Sequence, residues 1–133
     1  IQTGEPWRPM EENTLADSIA VGVPRNADKA LAAIRESRGL AVIVSDEEIL
    51  DAMRLLGRPQ GIFGEPAGVT GTAGIKKALE LGLIDPDSTV VSVVTGNGLK
   101  DVQSGIRAAG EPMLVPPDMD ALLSAFAQRR IAP

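Results

Sequence analysis

The sequence predicts an α/β fold, with three α/β/α layers around a mostly parallel sheet. Two observations carry this reading. Short apolar runs rich in β-branched residues, Leu40 to Val44, Gly61 to Gly64 and Val90 to Val94, alternate with longer stretches of helical period. The connections between them are short, and alternating strands and helices joined in this way mean parallel strands with right-handed crossovers. The run Val90 to Val94, broken only by Ser92, has the pattern of a strand buried on both faces of such a sheet. No internal repeat or low-complexity tract interrupts the order, so residues 1–133 are expected to form a single segment.

In chain order, Ile1 to Asn13 carries Gly4, Pro6 and Pro9, lacks either period, and reads as an irregular arm around Trp7. Thr14 to Val21 is apolar and polar by turns up to Gly22 and Pro24, and its pattern decides neither helix nor strand. Asn26 is placed to cap a helix with Asp28 in its first turn and Ala27, Ala30, Leu31 and Ile34 on one face, ending at Gly39. After the strand Leu40 to Val44, Ser45-Asp46-Glu47-Glu48 has capping-box spacing. Ile49, Leu50, Met53 and Leu56 then form a buried stripe that runs to Gly57.

Beyond the short strand Gly61 to Gly64, Glu65-Pro66 opens a further helix, since proline is tolerated only in its first turn. Gly68, Gly71 and Gly74 strip its opening turns of side chains before Ile75, Ala78, Leu79 and Leu81 restore an apolar face, and Gly82 closes it. Glycine costs about 1 kcal/mol per helical position relative to alanine. Three of them therefore imply either close approach by another backbone or a ligand, or tight helix-on-sheet packing. Asp101 to Ala109 reads as a helix ended by Gly110, and Met113 to Val115 as an edge strand. Asp118 caps a last helix through Leu122, Leu123 and Phe126, with Arg129 and Arg130 at its carboxyl end.

Composition narrows the chemistry. With 44% hydrophobic residues and a mean hydropathy of +0.06 the chain is expected to be a folded soluble domain. It contains neither cysteine nor histidine, which removes disulfides, thiolate nucleophiles, the usual zinc sites and every scheme with imidazole as base. A net charge of −5 and 2% aromatic residues supply neither the basic face nor the stacking surface that nucleic acid requires. No apolar run reaches membrane-spanning length and no signal peptide is visible, so no membrane partner and a cytoplasmic location are expected.

Thr95-Gly96-Asn97-Gly98-Leu99-Lys100-Asp101 is the candidate site. Thr95 falls at the carboxyl end of an expected buried strand, where open α/β sheets hold ligands, and the two glycines let backbone N–H groups come close to one. A plain strand-loop-helix corner, with Thr95 capping its own turn, is the competing reading. Gly96-Asn97-Gly98 lacks the third glycine of a dinucleotide fingerprint, and no phosphate-loop motif occurs. Glu65, Asp17 and Asp101 are candidates for acid or base work, although Asp101 is better placed as a helix cap.

Three clusters together, Thr14-Leu15-Ala16-Asp17-Ser18-Ile19, Gly61-Ile62-Phe63-Gly64-Glu65-Pro66-Ala67-Gly68 and Thr95-Gly96-Asn97-Gly98-Leu99-Lys100-Asp101, resemble the closing third of the threonine synthases. These are pyridoxal-phosphate enzymes of fold type II. The resemblance runs from about Gly4 to Val102. The Thr-Gly-x-Gly-Leu-Lys-Asp signature is fairly specific, whereas Glu-Pro-Ala-Gly is shared with dehydratases. It implies that the chain is a carboxyl-terminal portion of the large, cofactor-binding domain, and that Thr95 hydrogen-bonds the pyridine nitrogen of pyridoxal 5'-phosphate. Ala16 would flank the ring, Glu65 would line the pocket beside it, and Gly96 and Asn97, with Gly98, would shape the turn beneath. The reaction implied is conversion of O-phospho-L-homoserine and water to L-threonine and phosphate, with an amino-acid substrate as partner.

The chain also departs from the family pattern. None of Lys29, Lys76, Lys77 or Lys100 has the serine-rich context of the Schiff-base lysine, and neither the phosphate-cradling loop nor the substrate-phosphate ligands are present. No catalytic residue and no metal site are therefore expected, and the segment alone should be inactive and hold no cofactor. A homo-oligomer is expected, with self-association through uncovered strand edges or the arm from Ile1 to Asn13. A sister enzyme such as cysteate synthase or threonine dehydratase, or a stand-alone non-catalytic interaction module, are the alternatives.

Overall fold

A computed structural model describes residues 4–110 and 112–129, so Ile1 and Arg130 of the expected arm and last helix lie outside it. Its elements are helices throughout: α1 (Ala27–Glu36), α2 (Asp46–Gln60), α3 (Pro66–Glu80), α4 (Val102–Ala109) and α5 (Met119–Arg129). Two short 3-10 turns, Asp17–Ile19 and Gly98–Lys100, sit at the ends of loops. None of these helices is long and apolar enough to cross a membrane.

The expected three-layer fold with its mostly parallel sheet is overturned. Among the described residues no sheet forms, and the only pairing is a single antiparallel bridge between Gly64 and Asn97. The runs 40–44, 61–64, 90–94 and 113–115 are not strands. An apolar, β-branched run reports affinity for a covered surface, but a strand also needs a neighbour's N–H and C=O groups about 4.8 Å away in register. Here the runs meet a helix instead. A Cβ placed at Gly71 would lie 3.4 Å from Ser92 Oγ, and one at Gly74 would lie 3.5 Å from Val42. The glycine-bearing side of α3 thus receives both runs, with Thr72 Oγ1 and Ser92 Oγ 3.3 Å apart. Val44 and Val94 pack on the core, while Ile43 and Val91 are 83% and 84% exposed. The runs are covered on one side only.

The core lies where α2 packs between α3 and α4. Ile49, Leu50, Ala52 and Met53 of α2 meet Val69 and Ala73 of α3, Ala108 of α4 and Ala16 from the amino-terminal loop. The start of α2 follows the expected chemistry. Ser45 Oγ accepts from the Glu48 amide at 3.3 Å, and the Glu48 carboxylate accepts from the Ser45 amide at 2.7 Å, closing the capping box. The helix runs past Gly57 to Gln60, with Pro59 in its last turn, and stops where Gly61 takes up the left-handed conformation (φ 67°). Asn26 holds the position before α1 but makes no side-chain cap bond. Asp118 caps α5 through the Ala121 amide at 2.8 Å. In the arm, Trp7 Nε1 donates to Asp28 at 2.9 Å.

Lys77 of α3 reaches across to Glu48 of α2, so the capping carboxylate also ties two core helices together. The Lys77 ammonium, and behind it the Ser45 amide, hold the Glu48 carboxyl at about 2 instead of the ordinary 4.5. A carboxyl whose pKa is lower in the folded state stabilises above its unfolded pKa and loses that effect as pH falls through the folded value. The stability difference between the native chain and Glu48→Gln should therefore be constant above about pH 4.5 and shrink toward pH 2. Urea midpoints across this range test it. A difference that does not change with pH would show that the charge plays no part.

Candidate functional site

The three motifs, separated in sequence by tens of residues, meet at the amino-terminal end of α3. Asn97 begins the assembly: its Oδ1 accepts from the Leu99 amide at 2.9 Å, turning the chain into the 3-10 turn Gly98–Lys100. Backbone bonds then join this loop to the second motif, from Glu65 N–H to Gly96 O at 3.0 Å and from Gly98 N–H to Phe63 O at 2.9 Å. Close approach needs glycine here. A Cβ at Gly68 would stand 2.9 Å from both N and O of Gly96, and one at Gly98 would overlap the Phe63 ring.

The first motif is tethered to the start of α2. Thr14 Oγ1 donates to Asp46 at 2.6 Å, the Leu15 amide donates to the same carboxylate at 3.0 Å, and Ala16 N–H donates to Thr14 Oγ1 at 3.1 Å. This carries Ala16 into the core and leaves Asp17 and Ser18 at the surface beside α3.

Two concavities result. One, of about 370 Å³, is lined by Asp17, Ser18, Glu65, Pro66, Ala67, Lys100 and Asp101. The other, of about 340 Å³, is lined by Ile62, Phe63, Val94, Thr95, Gly96 and Asn97. Glu65 and Gly96 are in contact, so the two hollows adjoin across them. The site residues read from the sequence thus divide. Thr95, Gly96 and Asn97 share one hollow, Glu65 lines the other, and Ala16 is buried beside them and lines neither.

Thr95 is exposed, and no described residue hydrogen-bonds its hydroxyl. Glu65 is the reverse case: its side chain is only 7% exposed and accepts from Lys100 Nζ at 2.9 Å. Asp101 caps α4 by accepting from the Ser104 amide at 3.0 Å. Hydrogen bonds from the Ser104 side chain and amide hold its carboxyl below the usual range, which suits a fixed acceptor and not a group that exchanges protons near neutral pH. Among the described residues no group of three or more His, Cys, Asp or Glu is placed to hold a metal ion.

Sequence reasoning placed Lys100 in the candidate stretch and Asp17 among the acid or base candidates, but gave no specific role to Lys100, Ser18 or Phe63. Lys100 was legible only as a cation in the Gly-Leu-Lys-Asp run, because its partner Glu65 stands 35 positions away. Phe63 had a usable signal in Gly98 and Gly105, where a side chain would meet its ring.

The chain belongs to the family described as pyridoxal-phosphate dependent enzymes, whose profile matches residues 1–96. The cofactor of that family is pyridoxal phosphate. Among individual proteins, the chain is 50% identical over 109 residues to threonine synthase of Methanocaldococcus jannaschii, covering 82% of this chain and 27% of that protein. It is 46% identical over 128 residues to threonine synthase of Methanosarcina acetivorans, covering 95% and 32%. With threonine synthase of Halalkalibacterium halodurans it shares 41% over 114 residues, covering 85% and 32%. The chain therefore spans about a third or less of the length of the curated relatives it matches.

The residues present fit one wall of a cofactor site. An uncommitted hydroxyl opens onto a hollow of about 340 Å³ lined by Ile62, Phe63, Val94, Gly96 and Asn97. The loop that carries it is fixed by backbone bonds to Phe63 and Glu65 and by the side chains of Asn97 and Lys100.

Proposed function

We propose that this chain supplies the carboxyl-terminal part of the large domain of a threonine synthase, a lyase that converts O-phospho-L-homoserine and water to L-threonine and phosphate. The observation that carries the reading is the meeting of the three motifs, from Thr14 to Ile19, Gly61 to Gly68 and Thr95 to Asp101, around one pair of hollows. Identities of 41 to 50% with threonine synthases support the choice within the family.

Bound pyridoxal phosphate would supply an electron sink for charge developing on an amino-acid substrate. The task of this chain is to hold the ring. Thr95 would meet the ring nitrogen with a neutral hydroxyl that donates or accepts, and so would not impose a proton there as a carboxylate does. Gly96 and Asn97 would form the floor, with Glu65 behind Gly96 and Ala16 buried beside the same region.

The lysine that anchors the cofactor belongs, in this reading, to a part of the enzyme outside this chain. Lys76, Lys77 and Lys100 are each engaged with a carboxylate, Glu80, Glu48 and Glu65 respectively. Lys29 lies on α1 and lines neither hollow, and inactivity of the segment alone belongs to the same reading. An amino-acid substrate, a homo-oligomeric enzyme and a cytoplasmic location belong to the same reading. The exposed side chains of Ile43, Val91 and Val93 support burial of that surface by further protein.

Thr95→Val in the full-length enzyme tests the assignment. Shape is kept and one hydrogen bond is lost, at about 0.5–1.5 kcal/mol, so kcat should fall up to about tenfold with KM little changed. Thr95→Ser should recover most of the loss. Unchanged steady-state constants for the valine variant would make Thr95 an ordinary loop residue.

A further inference from the structure

The Thr95 hydroxyl has no bond of its own to hold it, so its position depends on Gly96, its covalent neighbour. Gly96 is held from two sides. On one, α3 presses close: a Cβ at Gly68 would stand 2.9 Å from Gly96 N and O and 3.4 Å from Thr95 N. On the other, the Glu65 amide donates to Gly96 O at 3.0 Å, and the Glu65 carboxylate lies where a methyl group on Gly96 would have to be. What keeps that carboxylate in place is Lys100, whose Nζ donates to Oε1 at 2.9 Å while the lysine itself remains 59% exposed.

The other ionisable groups lining the same hollow are Asp17 and Asp101. Lys100 is thus the one cation among three carboxylates there. Its amide donates to Asn97 O at 3.1 Å, so the loop closes on itself, from Gly96 through Asn97 to Lys100 and back through Glu65. A buried carboxylate stripped of its partner is strongly unfavourable and would turn outward. In doing so it would vacate the space beside Gly96.

We propose that Lys100 is a positioning residue, which through its ion pair with buried Glu65 fixes the Gly96 backbone and thereby sets where the Thr95 hydroxyl stands. The proposal rests on the reading of Thr95 as the partner of the cofactor ring, but its first readout does not require the cofactor.

The experiment uses the full-length enzyme with Lys100→Met, Lys100→Arg and Glu65→Gln. In the cofactor-free form, amide exchange at Glu65 and Gly98 should quicken tenfold or more in Lys100→Met, with the amides of Leu50 and Met53, inside α2, unchanged. With pyridoxal phosphate added, the same variant should bind it about tenfold more weakly and shift the pH titration of its absorbance. Lys100→Arg should restore both. Glu65→Gln, a neutral variant of the same shape, should also quicken Gly98 exchange severalfold, and it decides the matter if Lys100→Met does not fold. Native exchange at Glu65 and Gly98 in Lys100→Met, or at Gly98 in Glu65→Gln, would overturn the proposal. Slowing or quickening of the core amides by the same factor would overturn it too, since that marks a general structural role. An enzyme that binds no pyridoxal phosphate even unsubstituted would instead remove the functional reading and leave the exchange result to judge the clamp.

Discussion

Leu50→Ala is expected to lower the unfolding free energy of this chain by about 2–5 kcal/mol. Leu50 is 0% exposed and belongs to the core cluster that α2 forms with its neighbours. The buried apolar set is Ala16, Ile49, Leu50, Ala52, Met53, Val69, Ala73, Ala78 and Ala108, five of which are alanines. Few large side chains therefore share the load, with Leu15, Val44, Leu56 and Val94 packed only partly buried against the cluster. The loss is a large fraction of the total for a domain with about 5–15 kcal/mol to spare. Leu50→Met, which conserves volume, should cost less than about 1.5 kcal/mol. Urea unfolding with an unchanged m-value is the measurement. A shift in the alanine variant no larger than that of the methionine variant would mean that the site collapses freely.

Local chemistry in the sequence was legible wherever one or two neighbouring residues decide the geometry. Ser45 and Glu48 specify a capping box three positions apart, Asp101 and Asp118 cap the helices that follow them, and Pro66 stands in the first turn of α3. Gly57 misled because a glycine near a helix end is a stop signal only when the chain turns left-handed there. The turn falls at Gly61 instead. The sheet was not legible for a deeper reason. Val90 to Val94 is apolar enough to be buried on both faces, yet whether a neighbouring segment presents its backbone in register is a property of the whole fold. Among the described residues none does, and the run lies along α3 with Val91 facing outward.

The site was legible to a different extent. Each motif was recognisable, and of the three glycines Gly68 does receive another backbone closely, whereas Gly71 and Gly74 face only ordinary contacts with Ser92 and Val42. The division into two hollows was not legible, because it depends on Glu65 turning inward against Gly96, and that depends on Lys100, 35 residues later. A charge pair of this span leaves no periodic trace in a sequence. The same holds for Lys77 and Glu48, 29 positions apart, which link α3 to the cap of α2.

Gly68→Ala should separate fold from site most sharply. Alanine is favoured over glycine by up to about 1 kcal/mol in a helix interior, and overpacking costs about 1–3 kcal/mol, so the net loss of stability should stay below about 2 kcal/mol. The functional effect should be much larger. The atoms that a new methyl group meets are Gly96 N and O at 2.9 Å, which are backbone and cannot rotate away, and α3 cannot retreat because Val69 and Ala73 are buried against α2. The loop must therefore move, taking Thr95 with it. Because the floor formed by Gly96 and Asn97 shifts together with Thr95, the loss should exceed the roughly tenfold effect of Thr95→Val: misplacement of a reacting group's support by about 1 Å can cost on the order of a hundredfold, and kcat of the full-length enzyme should fall toward that factor. Gly71→Ala is the matched control, one turn along the same helix. Its methyl group would meet Ser92 Oγ at 3.4 Å, an ordinary contact, so it should stabilise slightly and leave kcat unchanged. If the two variants behaved alike in both thermal unfolding and turnover, the approach of α3 to Gly96 would not be what fixes Thr95.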